Sequence, residues 1–548
     1  MPAVAFYTLG CKVNQYETMM MESLFLDRGY QVVNFKDEAD IFLINTCTVT
    51  HIADRKSRQM IKRAIAKGPG ALVVVTGCYA EAASQEIKRI PGVSLVVGNQ
   101  EKERIVEKVE GLQSIVHRGQ RSVKVSKCQG IKESRSQESI VHRGQRSVKV
   151  SKCQGIKKSF LRKQEQEVIP AKAGTRSHSC ESRNKESRSQ ETGDKRTRAL
   201  VKVQDGCQQF CSYCIIPYVR SKIFSKDPES VLEEVRGLVS SGFKEIVLCG
   251  VRLGSYGKDL NGKKINLAKL IYLLEKVRGM GRIRLSSIEL EGLTAEVLEA
   301  IKNSNKLCPH LHLPLQSGSD LILKKMGRGY TRGEYEEVAR SLKHSIPNLA
   351  ITTDLMVGFP GEREEDFKDT CSLIKEIGFA RIHVFKYSRR PGTKAANFAD
   401  EVKFEVLKRR SEKLIRLAEE EALLFKQKYI GQTLEVLIEG RDKKSGYLEG
   451  LSDNYIRVLI ESPDYLSASQ RRQADAEIGW LGRIVPVQIF KADSNFAYGK
   501  GEVNAECGMR NAEEGRRGEV EKWEVNAECG MRNAEEGGSG KWLLTNKG

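Results

Sequence analysis

Between Ala3 and Gly98 five apolar runs, AVAFYTL, QVVNF, DIFLIN, ALVVVTG and SLVVG, alternate with segments of helical period, which leaves this stretch few ways to fold. Near-continuous Val, Ile and Leu runs need apolar cover on both faces of a strand, and only a parallel sheet with helices on each side supplies it. The pattern predicts a doubly wound α/β domain, with helices over residues 14–28, 52–66 and near 80–89. Cys11, Cys47 and Cys78 each stand just past the end of one run, in TLGC, INTC and VTGC. The carboxyl ends of parallel strands share one rim, where ligands bind, so three cysteines far apart in sequence are expected at one edge. Any one of them alone reads more readily as a small buried hydrophobe; it is the three at equivalent strand ends that point to a shared site.

Alternation resumes at residue 198 with ALVKVQ, KEIVLCG, RIRLSSIE, HLHLPLQ, LAITTDLMVG and ARIHVFKYS. Six βα units predict a partial TIM-like (βα)6 barrel whose chemistry lies at the carboxyl ends of its strands. Asp227 before Pro228 reads as the cap and first turn of the first barrel helix. The loop after the first of these strands contains Cys207, Cys211 and Cys214 as C-x3-C-x2-C. A structural zinc would ask for four ligands in paired spacing. Three thiolates in one loop instead suit a 4Fe-4S cluster with one iron left open, the alternative being a set of structural thiols.

From Gln113 to Thr197 the pattern collapses. SIVHRGQRSVKVSKCQGIK at Ser114 recurs at Ser139, and residues 111–198 hold 22 Lys and Arg against 8 Asp and Glu. Two polar, basic copies cannot bury a solenoid core, so this reads as a disordered insert, and its Cys128, Cys153 and Cys180 as bystanders. Much of the formal charge of +20 therefore belongs to the insert, leaving only a modest basic surplus for a polyanionic partner. A charged helix over 402–428 leads to short strands, TLEVLIEG, NYIRVLIE and GRIVPVQIF, which predict a small OB-like β-barrel. EVNAECGMRNAEEG occurs twice beyond it, at Glu502 and Glu524, in a tail expected to be disordered. No span of eighteen apolar residues exists, and MPAVAFYTLG lacks a charged segment before an apolar stretch, so a cytoplasmic protein with no membrane contact is expected.

QDGCQQFCSYCIIPYVR resembles the radical S-adenosylmethionine signature, with Tyr213 in its aromatic position, and more narrowly the methylthiotransferase branch of that superfamily. Ser221 stands where that branch usually has Gly, and Arg252 where it usually has Asn. TLGCKVNQYE, INTCTVT and VTGCYAE resemble the three cysteine motifs of its N-terminal domain, and GYLEGLSDNYIRVLIE resembles the RNA-binding TRAM module. The resemblance implies two 4Fe-4S clusters, one on Cys207, Cys211 and Cys214 and a second on Cys11, Cys47 and Cys78. It also implies a cofactor pocket for S-adenosylmethionine that includes Tyr213, Gly250, Glu289, Gln316 and Gly358.

CKVNQYE resembles the members that act on threonylcarbamoyladenosine beside the anticodon of tRNA. The implied partners are a tRNA anticodon arm, an electron donor such as flavodoxin or ferredoxin, and a sulfur source, with the chain a monomer. Within the class the alternatives are isopentenyladenosine in tRNA or a ribosomal-protein aspartate as substrate; outside it stands an inactive iron-sulfur RNA-binding protein. The expected domains are 1–112 (N-terminal), 113–197 (insert), 198–428 (radical barrel), 429–493 (TRAM-like barrel) and 494–548 (tail).

Overall fold

The computed structural model describes residues 1–114, 196–260, 262, 264–461 and 480–501. The repeat-bearing insert with Cys128, Cys153 and Cys180, and the tail with Cys507 and Cys529, lie outside the described residues.

The N-terminal sheet is parallel, in the order β2-β1-β3-β4-β5, formed by Gln31–Val33, Ala3–Thr8, Ile41–Thr46, Leu72–Gly77 and Leu95–Val96. Both faces are covered: Phe42, Ile44, Val73 and Val75 pack into one apolar layer with Met60, Ile61 and Ala64 of the helix His51–Lys67. Val4, Ile41, Leu43 and Val74 pack into the other with Met21 and Phe25 of the helix Lys12–Asp27. The third expected helix is two short ones, Cys78–Ala82 and Ser84–Lys88, because Ala83 between them leaves helical geometry at φ −130°, ψ 35°.

Six parallel strands make the central domain: β6 (Arg198–Asp205), β8 (Glu245–Gly250), β9 (Arg282–Leu285), β10 (His310–His312), β11 (Ala350–Val357) and β12 (Arg381–Lys386). The short strand β7 (Phe224–Ser225) pairs antiparallel at the β6 edge. Bridges from Ile283 to Leu307 and from Ser287 to His312 join β9 to the β10 half. Among the described residues β12 does not pair back to β6, so the barrel is open on that side. Asp227 caps the helix Pro228–Ser240 as expected, its side chain accepting from the Glu229 N–H.

The helix Phe404–Gln427 packs on β12 and leads into a closed five-stranded barrel, β13-β14-β15-β17-β16, made of Thr433–Arg441, Leu448–Ser452, Arg457–Glu461, Ala497–Gly501 and Ile484–Ala492. The expected tail boundary at 494 is thus too early. Ala497–Gly501 closes the barrel by pairing with both β15 and β16, its glycines having masked a strand in the sequence pattern. Among the described residues no helix is long and apolar enough to cross a membrane.

The small barrel docks on the amino ends of the central strands. Arg282 and Arg284 of β9 share the buried carboxylate of Glu245 on β8. They donate onward to the backbone carbonyls of Glu435, Leu451, Ser452 and Asp453 at 2.8–3.0 Å.

Candidate active site

β6 ends at Asp205, and the cysteine loop follows it at the carboxyl end of the barrel. The loop is pinned from three sides. The Cys207 N–H donates to the Arg220 carbonyl at 3.0 Å, Ser212 donates through N–H and Oγ to the carbonyls of Met326 and Lys325, and the Ala395 N–H donates to the Ser212 carbonyl. Tyr213 packs against the apolar group of Ile322, Met326, Phe359 and Ala395, so the aromatic in this slot anchors the loop to the barrel wall. Burial raises the Cys207 and Cys211 thiols and pushes Cys214 up to about 12; the Arg252 and Arg328 guanidiniums work against burial at the first two. A metal centre that takes these sulfurs must displace their protons.

Two arginines frame the loop. Arg328 pairs with Glu289, donates to the Pro314 carbonyl at 3.2 Å and reaches the Cys211 Sγ at 3.7 Å. Arg252 pairs with Glu291, to which Gln209 also donates at 3.0 Å. Glu289 was an expected pocket residue and Arg328 was not; Arg328 follows a left-handed Gly327 that turns the chain back to the cysteine loop. Gln316 holds a left-handed φ of 72° between β10 and β11, bonded to Asp354 and Met356 through its backbone. Gly358 has φ 75°, and a Cβ there would lie 2.2 Å from Leu407. Beside Gly250 the space is filled by Gln204 at 3.0 Å, a packing reason for glycine that needs no ligand.

The other triplet follows three neighbouring strands, β1, β3 and β4, so Cys11, Cys47 and Cys78 share one rim. Gly10 and Gly77 have φ 113° and 98°; a Cβ on Gly10 would meet Cys47 at 3.0–3.2 Å, and one on Gly77 would meet the Thr46 carbonyl at 2.3 Å. Glycine before Cys11 and Cys78 is therefore what lets the rim close up. Cys11 is exposed and lies within electrostatic reach of Cys78. Cys78 packs against Ile215 and Val219, residues just past Cys214, so this rim faces the barrel's cysteine loop. Cys249, Cys308 and Cys371 sit in a strand, a loop and a helix.

Among the described residues no three Cys, His, Asp or Glu side chains close to the spacing that a single metal ion demands. Cys11 lies within electrostatic reach of Cys78, and Cys214 within reach of Cys211 and Cys207.

Residues 3–98 match the uncharacterized protein family UPF0004, residues 201–374 the radical SAM superfamily and residues 427–501 the TRAM domain. The chain is 37% identical to a threonylcarbamoyladenosine tRNA methylthiotransferase of Bacillus subtilis, over 92% of this chain and 96% of that one. The chain belongs to the radical SAM methylthiotransferases. Its similarity to the same enzyme of Aquifex aeolicus is 35% over 88% of this chain and 99% of the relative. A tRNA-2-methylthio-N(6)-dimethylallyladenosine synthase of Pelotomaculum thermopropionicum is 34% identical over 88% of this chain and 93% of its own length. Membership makes the chain a radical SAM enzyme and implies one 4Fe-4S cluster, S-adenosylmethionine and a tRNA substrate.

Proposed function

We propose that this methylthiotransferase converts threonylcarbamoyladenosine next to the anticodon of tRNA to its 2-methylthio derivative, with Cys207, Cys211 and Cys214 holding the radical cluster and Cys11, Cys47 and Cys78 a second one. The observation that supports the two-cluster reading is the packing of Cys78 against Ile215 and Val219, residues that closely follow Cys214. When bound, the clusters and S-adenosylmethionine would supply the radical that takes hydrogen from the adenine and the sulfur that replaces it.

The residues of the chain position and shield. Arg328 and Glu289 wall one side of the cysteine loop, and Arg252 and Glu291 another. The N-terminal domain is tied across the open barrel by Arg390, which pairs with Asp54 at 2.6 Å, and this helps exclude water from a reactive intermediate. Exposed Lys491 and Lys500 lie over the rings of Tyr498 and Phe490 on the C-terminal barrel, a pairing of charge and ring that suits phosphate and unstacked bases. An electron donor such as flavodoxin or ferredoxin and a separate sulfur source complete the set, with the chain acting as a cytoplasmic monomer.

Mass spectrometry of tRNA nucleosides from cells with and without this gene tests the substrate. Loss of 2-methylthio-threonylcarbamoyladenosine is expected in its absence. Loss of the methylthio-isopentenyl nucleoside instead would move the enzyme to the other branch.

A further inference from the structure

Arg220 belongs to both halves of the site. Its backbone carbonyl accepts from the N–H of Cys207, the first cysteine of the barrel loop, while its side chain crosses to the N-terminal domain and donates through Nε to the Cys78 Sγ at 3.2 Å. The other guanidinium nitrogens are equally committed. Nη1 donates to Glu17 at 2.7 Å and Asp205 at 2.8 Å, and Nη2 to Glu17 at 2.8 Å and Asn14 at 3.0 Å. A guanidinium has five N–H donors in a rigid fork, and partners on two domains engage all three of its nitrogens, so little freedom of orientation remains.

The partners extend the tie to the remaining cysteines. Asn14 donates to the carbonyls of Leu9 and Thr46, at 2.7 and 3.0 Å, just ahead of Gly10-Cys11 and of Cys47. Glu17 is held in turn by Lys102 of its own domain and by Lys202 of β6. This cluster at the domain contact has three cations, Lys102, Lys202 and Arg220, against the two carboxylates Glu17 and Asp205, leaving one positive charge beside Cys78. Hydrogen bonds to a ligating sulfur and local net charge are two of the factors that set an iron-sulfur potential, and both favour the more negative, reduced form here.

We propose that Arg220 is a positioning residue that fixes the separation of the two cysteine triplets and raises the reduction potential of the cluster held by Cys11, Cys47 and Cys78. This rests on the two-cluster reading above. Its sequence position, six residues past Cys214, ties the geometry of the barrel loop to the sulfur-delivering side of the site.

The test uses the full chain, reconstituted anaerobically, in a Cys207→Ala, Cys211→Ala, Cys214→Ala background in which only the N-terminal cluster is read. Dithionite titration followed by electron paramagnetic resonance should give a more negative midpoint for Arg220→Gln than for Arg220, with Arg220→Lys between them because it keeps the charge and loses the fork. Equal midpoints in all three proteins overturn the effect on potential. In protein with all six cysteines, Arg220→Gln should weaken the magnetic coupling between the two reduced clusters, and unchanged coupling overturns the positioning role. Should the Gln variant fail to fold, the Lys variant carries both comparisons. A background protein with about four irons per chain but an unshifted midpoint removes the effect of Arg220 on the potential and leaves the two-cluster reading standing. A background protein with no iron removes the two-cluster reading, and the role of Arg220 with it.

Discussion

The phenol ring of Tyr455 stacks on the imidazole of His310, with centroids 4.1 Å apart and planes 11° from parallel. His310 begins β10, so the C-terminal barrel plugs the amino end of the central strands, opposite the end at which β6 delivers the cysteine loop. A tRNA held on the small barrel, as proposed above, would have to extend past the wall of the large one to reach the cysteines.

Tyr455→Ala removes this stack and the Arg284 guanidinium contact over the same ring, at 5.4 Å. A loss of about 1–2 kcal/mol is expected, the sum of one aromatic pair and one cation–π contact. Thermal unfolding reads it, and an unshifted melting temperature would show that the plug contributes no stability.

Glu245 governs the acid side of stability. Burial by itself would raise its carboxyl, but Arg284 and Arg282 outweigh burial and hold it at about 2. A depressed carboxyl stabilises the fold above its ordinary value of 4.5, and that contribution fades as pH falls through about 2. Glu245→Gln leaves two buried guanidiniums without their carboxylate and is expected to cost about 3–5 kcal/mol near neutral pH. The difference from the parent protein should shrink on acidification across that window; a pH-independent difference would contradict the assignment.

Arg390 and Asp54 form a buried pair between the loop after β12 and the helix His51–Lys67. Either single truncation should destabilise by about 3–5 kcal/mol, because the partner is left charged and buried. Truncating both should cost less than the sum, with a coupling of about 0.5–3 kcal/mol in a double-mutant cycle. Strict additivity would mean that the pair does not hold the N-terminal domain in place.

Lys491→Ala with Lys500→Ala should weaken tRNA binding without altering cleavage of S-adenosylmethionine. Each lost phosphate contact lowers the salt slope of binding by about one. A slope identical to that of the parent would place the RNA on another face. Removing the whole barrel is a poorer test, since Arg282 and Arg284 would lose their carbonyl acceptors and Ala350, Phe425 and Tyr429 their shared core.

Iron content checks the cysteine assignment. Reconstituted protein should hold about eight irons, and replacing Cys207, Cys211 and Cys214 by Ala should leave about four and abolish reductive cleavage of S-adenosylmethionine. A triple variant that kept all its iron would show that these sulfurs are not ligands.

The sequence by itself determined the three architectures, because each has a period: continuous apolar runs between helices for the two α/β domains, and short alternating strands for the small barrel. It also put three cysteines at strand ends and three in one C-x3-C-x2-C loop after a strand, since these are local features. Arg328 and Arg390 were not legible in that way, and Arg220, though it closes the run QDGCQQFCSYCIIPYVR, gave no sign of its partners. Each is one more cation in a chain with 91 Lys and Arg, and its partner lies far away in sequence, as Glu17 does from Arg220 by 203 residues and Asp54 from Arg390 by 336. Only the tertiary structure decides which cations are stripped of water and paired, because burial, not residue type, makes a charge specific. The last strand of the small barrel was hidden for a related reason: Gly499 and Gly501 have little β-propensity, and closure between β15 and β16 supplies the pairing that local preference does not.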